Sequence, residues 1–190
     1  HAMTDEQFEE FSVRVTALHH KNAARHRSEI VSRAHARALA LASHDDATEA
    51  HVREAVANGM TIAEFPTTRE AAQASRDAGL AVLVGAPNVV LGGSHSGNIA
   101  AIDLLRIGHA EILSSDYVPA SLLHAPFILA GRGMPLHEAI AKVTANPAAS
   151  IGMTDRGRLA PGLRADLVRV RLVGDQPVIR GIWVGGKQLA

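Results

Sequence analysis

The sequence predicts an α/β protein, with a body of parallel strands alternating with helices and a small β-module after it. Three observations predict this class. Short apolar runs end repeatedly in polar, glycine or proline signals, as at Leu39–His44, Met60–Phe65, Leu80–Gly85 and Ile112–Asp116, which is how buried strands read. Amphipathic stretches with start and stop signals separate those runs, and strict β-then-α alternation implies a parallel sheet with right-handed crossovers. From about Gly157 the texture changes to short alternating strands with glycine turns. The expected organisation is therefore a body over residues 4–150 and a β-module over 151–190. About four body strands are too few for a closed eight-stranded barrel, which takes about 250 residues, so the count reads as a fragment of one or as an open sheet.

Composition excludes several function classes. The chain has 190 residues, enough for one domain with a sizeable core. Lys and Arg (19) balance Asp and Glu (19), so no long-range field favours nucleic acid or an anionic membrane, and any anionic ligand must be held locally. With no cysteine there is neither a disulfide framework nor a thiolate metal site; a metal would need imidazole, carboxylate or water. No apolar run approaches the roughly 20 residues of a membrane span, and the start carries no signal-peptide pattern. A soluble, cytoplasmic protein is expected. His1-Ala2 before Met3 reads as a vector-derived scar, and His1 is set aside as a ligand.

Taken in order, Thr4 to about Arg37 carries Phe8, Phe11, Val15, Leu18, Ile30 and Val31 at mostly helical intervals, with Thr4 three residues before Gln7 as a capping-box start. One long helix, or two, is expected. Its His19, His20, Lys21, Arg25, His26 and Arg27 could touch phosphate, but a solvated helix face is the preferred reading. After the strand ending at His44, Thr48–Asn58 reads as a helix stopped by Gly59, and Met60–Phe65 as a strand stopped by Pro66. Thr67–Asp77 reads as a helix ended by Gly79, with Thr67 and Thr68 as its capping residues, and Leu80–Gly85 as a strand stopped by Pro87. A glycine-rich run follows, then a helix from about Asn98 to Ile107 and the strand that leads to Asp116. Ser121–Gly131 and Pro135–Val143 read as helices, the second pattern ending near Asn146-Pro147. In the module, Ala165–Val170, Pro177–Arg180 and Ile182–Lys187 are the expected strands.

Chemistry gathers at the carboxyl ends of strands in α/β folds, and two strand ends here carry polar groups suited to it. His44 and Asp46 stand in an H-x-D spacing, which on a strand turns both to one side, as metal ligation often requires. A helix-cap reading competes for Asp45, Asp46 and Thr48; His44 precedes the cap and is the expected site residue. Asp116 is a metal ligand, a general base for water, or a helix cap together with Ser114 and Ser115. In the run Gly92-Gly93-Ser94-His95-Ser96-Gly97-Asn98, the backbone N–H groups of Gly93, Ser94, His95, Ser96, Gly97 and Asn98 could cradle a phosphate, unless this is a plain loop. It lacks the lysine of a P-loop. His35, His51, His109, His124 and His137 fall on helices or their ends and are read as structural.

Together the strings LASHDDAT, IAEFPTT, GAPNVVLGGSHSGN and ILSSDYVPASLLHAPF resemble the amidohydrolases of phosphonate catabolism that act beside the carbon–phosphorus lyase. The tail, NPAASIGMTDRGRLAPGLRADLVRV and WVGGKQLA, is similar to the general amidohydrolase ending. The resemblance implies a partial (β/α)₈ TIM-type barrel followed by a segment of a small β-sandwich. It implies a metal-dependent hydrolase, with zinc or manganese as the divalent metal, releasing pyrophosphate from a phosphorylated ribosyl phosphonate. In that reading His44 is a metal ligand, and Asp116 is both the last-strand metal ligand and the group that positions or deprotonates the attacking water. The family's upstream ligands, an H-x-D-type pair, a bridging residue and a further histidine, have no counterpart. The chain thus reads as the C-terminal half of such an enzyme, inactive alone and prone to self-associate as a homo-oligomer, most simply a two-fold dimer of half-barrel openings. Two other readings remain, a deacetylase or cyclic-amidase of the same superfamily, and a non-catalytic oligomerising β/α module. The glycine-rich run argues against the former.

Overall fold

Four short strands, β1 (Ala42–His44), β2 (Ile62–Glu64), β3 (Ala81–Gly85) and β4 (Ile112–Ser114), lie side by side in chain order and pair in parallel. The computed structural model describes residues 3–93 and 98–190, and it divides into two compact units, 1–39 and 40–190. The first unit is a single helix, α1 (Asp5–His35), rather than two. Its start is the expected capping box: the Gln7 N–H donates to Thr4 Oγ1 (3.3 Å) while the Thr4 N–H donates to the Gln7 side chain (3.0 Å). Asp5 and Glu6 at its start and Arg33 and His35 at its end complement the helix dipole.

In the second unit each crossover is helical: α2 (Glu49–Ala57) between β1 and β2, α3 (Arg69–Asp77) between β2 and β3, and α4 (Ala86–Leu91) and α5 (Ala101–Arg106) between β3 and β4. Thr48 and Thr68 cap α2 and α3 with their side chains, so neither Asp45 nor Asp46 is the cap. Two boundaries differ from expectation. Pro87 sits in the first turn of α4, where its missing N–H costs nothing, so it opens a helix instead of only ending a strand. The helix expected from Asn98 begins at Ala101, because the Ala101 N–H donates to the Asn88 side chain (3.0 Å) and that bond fixes where the turn starts.

Alternation along the strands divides the sheet into two faces. Ala63, Val82, Val84 and Leu113 are fully or almost fully buried and share one core cluster with Ala55, Ala72, Leu104, Leu105, Ala125 and Leu129 from the helices. The register partners on the opposite face, His44, Glu64, Leu83 and Ile112, take no part in that cluster. At the amino end, the Glu111 N–H donates to the Val82 carbonyl (3.0 Å) and its carboxylate accepts the Val82 N–H (2.8 Å), adding a rung to the β3–β4 ladder. Arg76 pairs with the same carboxylate. The outer edge of β4 is covered: the Leu113 N–H donates to the Lys142 carbonyl (2.9 Å) and Asn146 donates to the Glu111 carbonyl (2.8 Å). Burial holds the Lys142 ammonium below its ordinary pKa, while its Nζ donates to the Ala110 carbonyl (3.0 Å).

Helices α6 (Ser121–Gly131), α7 (Leu136–Ala141) and α8 (Ala145–Ser150) follow β4. Pro147 falls in the first turn of α8, so Asn146-Pro147 begins a helix where the sequence suggested an end. The module is an antiparallel sheet of β5 (Leu167–Val173), β6 (Gln176–Val184) and β7 (Lys187–Gln188). The two strands expected over 177–187 are largely one, β6, which absorbs an extra residue in a bulge opposite Arg169/Val170. Trp183 lies over Gly181, where an added Cβ would come within 2.5 Å of the indole, and Arg169 stacks on the same ring.

Candidate functional site

β1 ends at His44, and Asp116 follows the end of β4 by two residues. Since the sheet is wholly parallel, both stand at its carboxyl end, as do the starts of the helices that follow. Glu64 joins them. It is the last residue of β2 and the register partner of His44, so the two side chains leave the same face of the sheet. His44 Nε2 and Glu64 Oε2 are 4.0 Å apart. That separation is too long for a hydrogen bond, and a small side-chain adjustment would bring the two atoms to the roughly 3.4 Å that separates neighbouring donors about 2.1 Å from a tetrahedral ion. On the other side of the ring, Asp45 Oδ2 lies 3.2 Å from His44 Nδ1, and Phe65 packs edge-on at 5.4 Å between centroids.

The backbone around these groups is strained. Asp45 (φ 59°), Phe65 (φ 54°) and Asp116 (φ 48°) are non-glycine residues in the left-handed region, and each immediately follows or closely trails a strand end. Aspartate tolerates that conformation, but phenylalanine there is a true outlier, of the kind that clusters at functional sites. The Phe65 N–H donates to the Leu83 carbonyl (2.9 Å), and the next residue, Pro66, is buried.

Asp46, which the H-x-D spacing grouped with His44, turns inward. Its buried carboxylate accepts the Ser43 hydroxyl (2.5 Å), and its carbonyl accepts the Thr67 N–H (2.9 Å), clamping the β1 and β2 loops together. Asp116 is exposed and is not a cap: the N-cap of α6 is Ala120, with no side-chain bond. Its own N–H donates to the Ser114 hydroxyl (3.2 Å). Among the described residues no group of three or more His, Asp or Glu side chains could hold a metal ion, so Asp116 is not gathered with His44 and Glu64 into one cluster. Their two donors fit a divalent ion chemically but are fewer than the three or four that zinc sites use.

Of the glycine-rich run, Ser94, His95, Ser96 and Gly97 lie outside the described residues. The Gly93 N–H is engaged by the Asn88 carbonyl (3.1 Å), where Gly92 at φ 83° ends α4. Asn98 is exposed. Ile99, next in sequence, lines a depression of about 560 Å³ together with Arg69, Asp103, Arg106 and Ile107, so two arginines and one aspartate share its lining. Sequence reasoning missed Glu64. Its signal was available only as the last apolar-run position before Phe65-Pro66; what singles it out is its pairing with His44, which is not local.

Comparison with known proteins gives concordant findings. Residues 11–189 match the amidohydrolase family. The chain is 46% identical over 192 residues to the alpha-D-ribose 1-methylphosphonate 5-triphosphate diphosphatase of Escherichia coli (strain K12), an alignment covering 100% of this chain and 51% of that protein. It therefore spans about half the length of that relative. Among solved structures it is similar to an amidohydrolase from Thermotoga maritima MSB8 (TM-score 0.62, 20% identity, 80% of this chain and 43% of that one). It is also similar to the ochratoxinase of A. niger (TM-score 0.60, 20% identity, 84% and 43%). At these identities the structural likenesses speak to the fold alone.

Proposed function

The chain belongs to the amidohydrolase family, and from that premise we propose that it carries part of the active site of a metal-dependent hydrolase that releases pyrophosphate from α-D-ribose 1-methylphosphonate 5-triphosphate. What supports this substrate is the 46% identity to the diphosphatase across the whole chain. The observation that carries the site is the His44–Glu64 pair at the carboxyl end of the sheet, 4.0 Å apart on one face. In this reading residues up to about 150 form the C-terminal half of the barrel and 151–190 a β-sandwich segment.

His44 Nε2 and the Glu64 carboxylate would hold a divalent metal, zinc or manganese, and Asp116 would join them as the last-strand ligand. When bound, the ion supplies Lewis-acid polarisation of the phosphoanhydride and lowers the pKa of water. Asp116 would take a proton as the water oxygen attacks the α-phosphorus, and the bond from that phosphorus to the α–β bridging oxygen would break, so that pyrophosphate leaves with the bridging oxygen and the ribosyl 5-phosphate remains. The triphosphate would be held by the run 93–98, chiefly by residues other than Gly93, whose N–H is already bonded to Asn88, with Arg69 and Arg106 supplying positive charge. Phosphate contacts act in the ground and transition states alike, so their loss raises KM, whereas loss of ligand or base lowers kcat.

Because Asp116 is not gathered beside His44 and Glu64 in this structure, that pair alone leaves the metal site short, and the 190-residue chain by itself is expected to show no turnover and weak metal binding. Self-association through the apolar strand faces and edges is the accompanying proposal for its solution state. The test of the function is turnover of the ribosyl triphosphate by the protein extended to its relative's length. His44→Ala should abolish pyrophosphate release, and Ser94→Ala or His95→Ala should raise KM chiefly. Undiminished turnover in His44→Ala would overturn the reading.

A further inference from the structure

We infer that Asp45 is a positioning residue for His44: its carboxylate fixes the imidazole with the proton on Nδ1, which leaves the Nε2 lone pair directed to the face that His44 shares with Glu64. The inference rests on the proposed role of His44 as a metal ligand and adds the group that prepares it. Three observations carry it. Asp45 Oδ2 is 3.2 Å from His44 Nδ1, so the carboxylate is the polar group set against that ring nitrogen. Asp45 is at φ 59°, and this left-handed turn directly after the strand is what brings the carboxylate of residue i+1 back beside the ring of residue i; in an extended strand the two side chains would leave opposite faces. The opposite ring nitrogen, Nε2, is the one that faces Glu64, at 4.0 Å.

The chemistry follows from the imidazole's two nitrogens. Neutral histidine has one N–H and one lone pair, and only the unprotonated nitrogen binds a cation. A carboxylate accepts a hydrogen bond and cannot donate one when ionised, so placing it at Nδ1 selects the tautomer with Nε2 free. Asp46 cannot do this, since its carboxylate is buried against Ser43. The Phe65 ring packs edge-on against the imidazole, 5.4 Å between centroids.

The test separates the carboxylate from the backbone it sits on. Asp45→Gly keeps the left-handed turn and removes the carboxylate, while Asp45→Asn keeps both the turn and an acceptor oxygen. Long-range ¹H–¹⁵N correlation spectra of the 190-residue chain, with the His44 signal identified by its loss in His44→Gln, report the tautomer without any metal. The Nδ1–H form is expected in the wild type and in Asp45→Asn, and a shift to the Nε2–H form in Asp45→Gly. Zinc titration against a chromophoric chelator should show affinity falling about 10–100-fold in Asp45→Gly and recovering in Asp45→Asn. An unchanged tautomer in Asp45→Gly would overturn the inference. Zinc affinity unchanged in His44→Gln would instead overturn the ligand role of His44, and the tautomer result would still decide the role of Asp45.

Discussion

His44 and Glu64 are register partners at the carboxyl end of a parallel sheet, and their nearest polar atoms stop 4.0 Å apart without bonding. An imidazole nitrogen and a carboxylate oxygen on one face, within a small side-chain adjustment of the separation between neighbouring ligands of a tetrahedral ion, are the donor types a divalent metal takes. If the proposed site holds, Glu64→Gln in the protein extended to its relative's length should lower divalent-metal affinity by at least about tenfold. Thermal stability should change little, because Glu64 is only half-buried and its loss leaves no buried donor unpaired. Chelator competition and a melting curve on the same variant check both halves. Wild-type metal affinity would remove Glu64 from the site.

A second prediction concerns the opposite end of the sheet, where conservation of structure rather than chemistry is at stake. Glu111 accepts the N–H of Val82, which is fully buried, and pairs with Arg76. Glu111→Ala leaves that N–H without a partner and should cost about 1–3 kcal/mol. Glu111→Gln retains an acceptor and loses only a partly exposed ion pair, so it should cost about 1 kcal/mol or less. Urea denaturation of the two variants separates the buried hydrogen bond from the charge.

The parts of this fold that are written locally were legible. Apolar runs located all four parallel strands, and Thr4, Thr48 and Thr68 announced the helix starts that they cap. Proline misled at Pro87 and Pro147, because the same residue that stops a strand or helix is also at home in a first helical turn. His44 stood out because it ends a strand within a polar cluster, but the choice among its acidic neighbours was not local. Asp46 is turned inward by Ser43, Asp45 is turned back by a positive φ, and Glu64 is brought in by strand pairing across 20 residues of sequence. Spacing alone favoured Asp46, since an H-x-D pair shares a face only while the chain stays extended, and here it leaves the strand at Asp45.

The entry to the β-module should loosen in acid. The Arg156 guanidinium, hydrogen-bonded to Asp155, holds that carboxyl below its usual value of 3.8. For Asp166 the Arg164 hydrogen bond does the same, followed by the Gly185 N–H donated at 2.8 Å. Depressed folded-state values mean that the folded chain binds fewer protons than the unfolded one. The stabilisation is thus complete above the ordinary carboxylate pKa and is lost as pH falls through the depressed values. Hydrogen exchange at the Gly185 amide should accelerate, relative to its intrinsic rate, as pH drops from about 5 to about 2. Asp166→Asn should show little of that change.

Asp116 offers the cleanest separation of catalysis from stability. Its φ of 48° is a conformation that asparagine adopts about as readily as aspartate, and its carboxylate is exposed, so Asp116→Asn should leave stability within about 0.5 kcal/mol of the wild type. The amide cannot take a proton from water. If Asp116 is the proposed base, kcat in the protein extended to its relative's length should fall by about 10²-fold or more, with KM little changed. Asp116→Val makes the converse test: a β-branched residue at positive φ should cost about 1–2 kcal/mol through backbone strain. A structural role alone would make the valine variant the less active of the two in proportion to its instability. A catalytic role makes both inactive while only valine lowers the melting temperature. If Asp116→Asn keeps its kcat, the proton acceptor lies elsewhere, and the left-handed turn held by Ser114 would be what the aspartate provides.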